Sequence, residues 1–112
     1  MASDLPILDA EVQQALKEMM REDFALLIDT FIADARMRLT HLELHLQAHD
    51  WDAYGQTAHS FRGSCGNMGA LAMQQACQMA EEAARAEDAV QAADCIRRLN
   101  ALFRQVESLL RS

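Results

Sequence analysis

From Phe24 onward, apolar residues recur at three- and four-residue intervals: Phe24, Leu27, Ile28, Phe31, Ile32, Ala35, Leu39, Leu42 and Leu46. That spacing lays a single buried stripe along a helix, predicted to run from about Glu22 to Ala48. A second stripe, Val90, Ala93, Ile96, Leu99, Leu102, Phe103, Val106 and Leu110, predicts a helix from about Ala89 to Leu110, with Asp88 placed to cap it. Between these two, Asp50 can cap a helix from Trp51 to Met68, and Gly69 suits the left-handed position that closes it. A further helix is predicted from Leu71 to about Ala86, and a short one from Ala10 to about Met19, with Asp9 as its cap and Pro6 upstream. Short connections between long helices make sequential helices antiparallel neighbours. The expected fold is therefore all-α: an antiparallel up-down four-helix bundle with a short extra N-terminal helix, forming one domain over residues 1–112.

Composition sharpens this picture. Hydrophobic residues make up 51% and charged residues 24%, with one proline and four glycines, and good helix formers dominate. The net charge is −7 with no Lys/Arg cluster, so nucleic acid is not an expected partner. No apolar run approaches a membrane span, and residues 1–9 lack the basic-then-apolar pattern of a secretion signal; the expected location is the cytoplasm. Cys65, Cys77 and Cys95 form no CxxC pair and are expected as reduced, mostly buried thiols. The methionines, among them Met19, Met20, Met37, Met73 and Met79, are expected as adaptable core filling.

The third helix carries candidate chemistry. At about 100° per residue, Tyr54, Ala58, Phe61, Cys65 and Met68 form its core stripe. Measured from that stripe, Gly55 lies at about 100°, Gly66 at about 120°, His59 at about 140° and Gly63 at about 180°. Three of the protein's four glycines thus surround one histidine on the expected solvent side. Each glycine inside a helix costs about 0.5–1 kcal/mol relative to alanine. A plain explanation is close helix–helix approach, but that calls for glycines on the core side; another is a helix that stops at Gly63. The alternative is that a partner must come near His59, with Gly63, one turn on, the position where a side chain would obstruct most.

An exposed imidazole titrates near about pH 6.5, so at neutral pH it is mostly neutral and offers a nitrogen lone pair to phosphorus. Arg62, three residues on, can present a cation to phosphoryl oxygens. The rest of a phosphoryl-transfer apparatus is missing: there is no Gly-rich loop after a strand, no Walker lysine and no compact carboxylate cluster. A metal and a phosphate donor would have to come from a partner.

The segment Ala58-His59-Ser60-Phe61-Arg62-Gly63-Ser64-Cys65-Gly66-Asn67-Met68-Gly69-Ala70 resembles the signature of the histidine phosphotransfer (HPt) family. That signature is a small residue, the phospho-accepting His, an apolar residue two on, a basic residue three on, and glycines four and ten on. The resemblance continues through Met73, Cys77 and Glu81, and its helix order spans essentially the whole chain. It is most similar to stand-alone bacterial members, with Arg62 where the family more often has lysine and Phe61 where leucine is usual. The resemblance implies a phosphoryl carrier rather than an enzyme, an intermediate of a two-component phosphorelay. His59 would accept a phosphoryl group from the receiver domain of a hybrid histidine kinase and pass it to a response regulator receiver. No cofactor of its own is implied; Mg²⁺ would be supplied by the receiver. The docking face would come from the outer sides of helices two to four, with Gln56, Gly63, Gly66 and Asn67 around the site and Arg85 a further candidate. A monomer is expected.

Two other readings accompany this one. An unphosphorylated four-helix adaptor would need no histidine at position 59. Separately, His41, His45 and His49 recur at intervals of four along helix two, and such a pair can hold Zn²⁺ or Cu²⁺, although a solvated face is the plainer account.

Overall fold

The computed structural model describes residues 4–112. Helix α1 spans Ala10–Met20, α2 Phe24–Gln47, α3 Trp51–Met68, α4 Leu71–Arg85 and α5 Ala89–Leu110. Helices α2 to α5 form the up-down bundle: each packs on the next, and α5 closes the ring against α2. The α2 stripe is buried or half-buried along its whole predicted length. Phe31, Ile32, Leu42, Tyr54, Phe61, Met73, Leu99 and Val106 fill the centre with cysteine and alanine side chains between them. Tyr54 adds a buried crosslink, its hydroxyl donating to the Ala92 carbonyl of α5 at 2.8 Å.

The caps explain where the helices start. Asp9 accepts from the Glu11 and Val12 amides, Asp50 from Ala53 and Asp88 from Gln91, each satisfying amides that the first turn leaves open. Gly69 ends α3 at φ +77 in the left-handed region. The chain's start is tied to that turn: Asp9 N–H donates to the Gly69 carbonyl at 2.8 Å and Gln13 Nε2 to the Met68 carbonyl at 2.7 Å. Ile7, Leu8 and Leu16 pack on the core from there.

Four expectations need correction. The second helix starts at Phe24 rather than Glu22, because residues Arg21–Asp23 form a 3₁₀ turn after Arg21 takes φ 51. Met19, Met37 and Met79 are exposed, and of the five methionines cited only Met73 is buried. They fall on the flanks of their helices, where a 3.6-residue repeat leaves apolar residues outside the seam. Val90 is exposed, and Ala92 rather than Ala93 is buried in the first turns of α5. His49 lies beyond the end of α2 at φ 53, its ring edge-on to Trp51, so it does not share a face with His41 and His45. Among the described residues no three His, Cys, Asp or Glu side chains gather where they could hold a metal ion.

Candidate functional site

Helix α3 carries His59 outward because Ala58 and Phe61 are wholly buried on either side of it in sequence. Its side chain is 66% exposed. Across the α3–α4 seam, Glu81 is 11% exposed and places Oε2 3.1 Å from His59 Nδ1. Arg62, one turn along α3, brings its Nε to 3.1 Å from Glu81 Oε1 and a terminal nitrogen to 3.3 Å from His59 Nδ1. The Arg62–Glu81 contact is an ion pair off the line of a hydrogen bond, since Oε1 is buried and receives no hydrogen-bond donor.

This arrangement decides which imidazole nitrogen is free. A carboxylate only accepts and a guanidinium only donates, so Nδ1 either donates to Glu81 Oε2 at 3.1 Å or accepts from Arg62 at 3.3 Å; the shorter contact, to the carboxylate, favours the proton on Nδ1. In that tautomer Nδ1–H donates to Glu81, the Arg62 contact is electrostatic only, and Nε2 of the largely exposed side chain keeps its lone pair. The nearby Arg62 guanidinium compensates the half-buried Glu81 charge.

An open cleft of about 480 Å³ adjoins His59 between α3 and α4. Trp51, Gly55 and Ala84 form its apolar part, and Asp52, Gln56, Glu81, Arg85 and Glu87 bring polar groups to it. Gln56 and Arg85, both singled out from the sequence, therefore share a cleft with His59. Asn67 lies elsewhere, at a groove of about 290 Å³ between α1, α2 and α3 lined by Leu16, Leu27, Phe31 and Met68. On the α2 side, Arg38 donates to the Ser60 hydroxyl at 2.6 Å beside the site, and Asp34 holds that arginine at 2.6 Å.

The glycines divide. A Cβ at Gly63 would meet no heavy atom within 4 Å, so the helix continues through it beside open space. A Cβ at Gly55 would lie 3.3 Å from the Ala84 Cβ, and one at Gly66 2.5 Å from Gln74 Nε2. Gly55 serves the close approach of α4, contrary to the expectation that all three clear space around His59; at Gly66 the crowding atom is the end of a flexible glutamine side chain. A single-helix projection measures angles from one core stripe and cannot show that a neighbouring helix covers the flank.

Glu81 is the site residue that residue patterning alone did not single out; the resemblance cited it only for its spacing. A signal was present. It follows Met73 and Cys77 at eight and four residues, so a carboxylate stands at the end of a buried row.

Comparison with known proteins places this geometry. The model of the Hpt domain family matches residues 26–109. The structure is similar to the crystal structure of histidine-containing phosphotransfer protein B (HptB) from Pseudomonas aeruginosa PAO1, with a TM-score of 0.91 and 38% sequence identity over 95% of this chain and 92% of that one. No curated protein sequence matches the chain.

Proposed function

Since the chain belongs to the Hpt domain family, whose members are histidine phosphotransfer carriers of two-component phosphorelays rather than enzymes, we propose that His59 is the residue that carries the phosphoryl group. The observation that carries this reading is the pairing of Nδ1 with Glu81, which leaves Nε2 as an exposed nucleophile beside the uncluttered Gly63.

The transfer makes few demands on this protein. The Nε2 lone pair forms the N–P bond while the O–P bond of an aspartyl phosphate on the receiver breaks, its electron pair remaining on that carboxylate. Because Nδ1 already holds the ring proton, no proton has to leave the attacking nitrogen. The ring gains positive charge as the bond forms, and the Glu81 carboxylate at 3.1 Å from Nδ1 stabilises it. Arg62 offers a cation near the incoming phosphoryl oxygens, as a second duty beside its pairing with Glu81. The receiver supplies Mg²⁺ and its own activating groups.

Partners are the receiver domain of a hybrid kinase and that of a response regulator, docking as a monomer-to-monomer encounter on the exposed side of α3. Gln56, Gly63, Asn67 and the exposed Met37 of α2 supply the surface there. Gly66, next to the flexible Gln74 side chain, belongs to the same docking surface. Among the described residues no helix is long and apolar enough to cross a membrane, and the proposed location is the cytoplasm.

The test is to mix the protein with a radiolabelled, aspartyl-phosphorylated receiver and Mg²⁺, beside the His59→Gln variant. Label that moves only to the wild type, is lost in acid and survives base identifies phosphohistidine at position 59. Equal labelling of His59→Gln, or none on the folded wild type across a broad panel of receivers, rejects the reading and favours an unphosphorylated adaptor.

A further inference from the structure

Phosphorylation would add about 1.5–2 negative charges to a site whose nearest cation is already committed. Arg62 is paired with Glu81 at 3.1 Å. The cleft beside His59 also presents two carboxylates, Asp52 and Glu87, and one further cation, Arg85. Arg85, Asp52 and Glu87 have no ion-pair partner among the described residues. Arg85 stands one turn beyond Glu81, and positions four apart share a helix face, so it shares the face that meets His59. It is exposed, in the last turn of α4, and lines the cleft that His59 borders and Arg62 does not.

We infer that Arg85 is a second phosphoryl-binding cation of this site, opposed by Asp52 and Glu87, and that these three side chains set how the phosphoryl group partitions between His59 and a receiver. The inference rests on His59 being the acceptor. In the forward step the N–P bond forms as the aspartyl O–P bond breaks; the return step reverses this, and no proton or electron is consumed overall. The partition then depends only on which state the local charges favour. The carboxylates disfavour phosphohistidine and push the group onward. Arg85 favours it and holds the group long enough for a second receiver to arrive. A contact of this sort made by an exposed side chain is modest, large enough to shift an equilibrium and too small to trap the group.

The experiment measures the equilibrium ratio of label on this protein to label on one receiver, with Mg²⁺ at fixed concentrations, for wild type, Arg85→Gln, Arg85→Lys and Glu87→Gln. Arg85→Gln is expected to lower the ratio about threefold to tenfold, the scale of a charge-assisted contact discounted for exposure. Arg85→Lys restores most of that loss, and Glu87→Gln raises the ratio above wild type. Circular dichroism confirms that each variant is folded. An unchanged ratio in Arg85→Gln, or shifts of the same sign in Arg85→Gln and Glu87→Gln, overturns this inference while leaving the acceptor assignment intact. Absence of label from the wild type overturns the acceptor assignment and this inference with it.

Discussion

Gly63 answers two opposed demands at one position. Inside a helix, a glycine beside solvent is worse than alanine by about 0.5–1 kcal/mol. With no heavy atom within 4 Å of its would-be Cβ, nothing in the fold requires it. Gly63→Ala should therefore raise stability by about 0.5–1 kcal/mol, read as a higher urea midpoint at unchanged slope. The same methyl, one turn from His59 on the exposed face, should slow transfer from a receiver. A loss of stability would show that the space is not open; an unaltered transfer rate would show that docking does not use it. The residue pattern made Gly63 legible because its meaning is local to one helix. Gly55 was misread because its meaning depends on Ala84 of α4.

Between elements, the turn from α3 to α4 does the most. Gly69 holds φ +77, and a Cβ there would lie 2.8 Å from the Val12 Cβ of α1. Its carbonyl also accepts the Asp9 amide. Gly69→Ala should cost about 1–2 kcal/mol from the left-handed backbone alone, with the Val12 clash added to it. Hydrogen exchange should then rise first in α1, which has no fully buried residue of its own, and spread to α3 only later. Uniform loss of protection through all five helices would contradict that order. The starts of α1, α3 and α5 were readable, since Asp9, Asp50 and Asp88 cap locally. Arg21 at φ 51, His49 at φ 53 and Glu87 at φ 50 take left-handed turns past α1, α2 and α4 without glycine to mark them, although the ends predicted at Ala48 and Ala86 fall within one residue of Gln47 and Arg85.

Across the whole molecule, the buried thiols and Tyr54 set an alkaline limit. A hydrogen bond with Cys65, then burial, pushes the Cys77 thiol far above its ordinary value near 9. Burial does the same to Tyr54 from its ordinary 10.0, and burial followed by the Asp94 charge raises Cys95. In each case the unfolded chain loses its proton at lower pH than the folded one. The contribution of these groups to stability is therefore complete only well below pH 9 and falls progressively as pH rises through and beyond it, with about 1–2 kcal/mol lost to Cys77 alone by about pH 10. Urea unfolding at a series of pH values checks this; a flat profile from pH 8 to about 10.5 would refute it. The core pattern itself was legible at this scale, because burial of Phe31, Ile32, Leu42, Leu99 and Val106 follows from a repeat along each helix.

By itself the sequence determined the number and order of the α-helices, the caps of α1, α3 and α5, the core stripes of α2 and α3 with most of that of α5, and the exposure of His59. All of these follow from relations within a few residues, where helical periodicity and capping act. Only the tertiary structure decided that Glu81 meets Nδ1 and so leaves Nε2 free, that Arg62 is shared with that carboxylate, and that Arg85, Asp52 and Glu87 share a cleft with the histidine. These depend on the register of α3 against α4. In that register Gly55 seats on Ala84, a packing relation between helices that no single helix's pattern encodes.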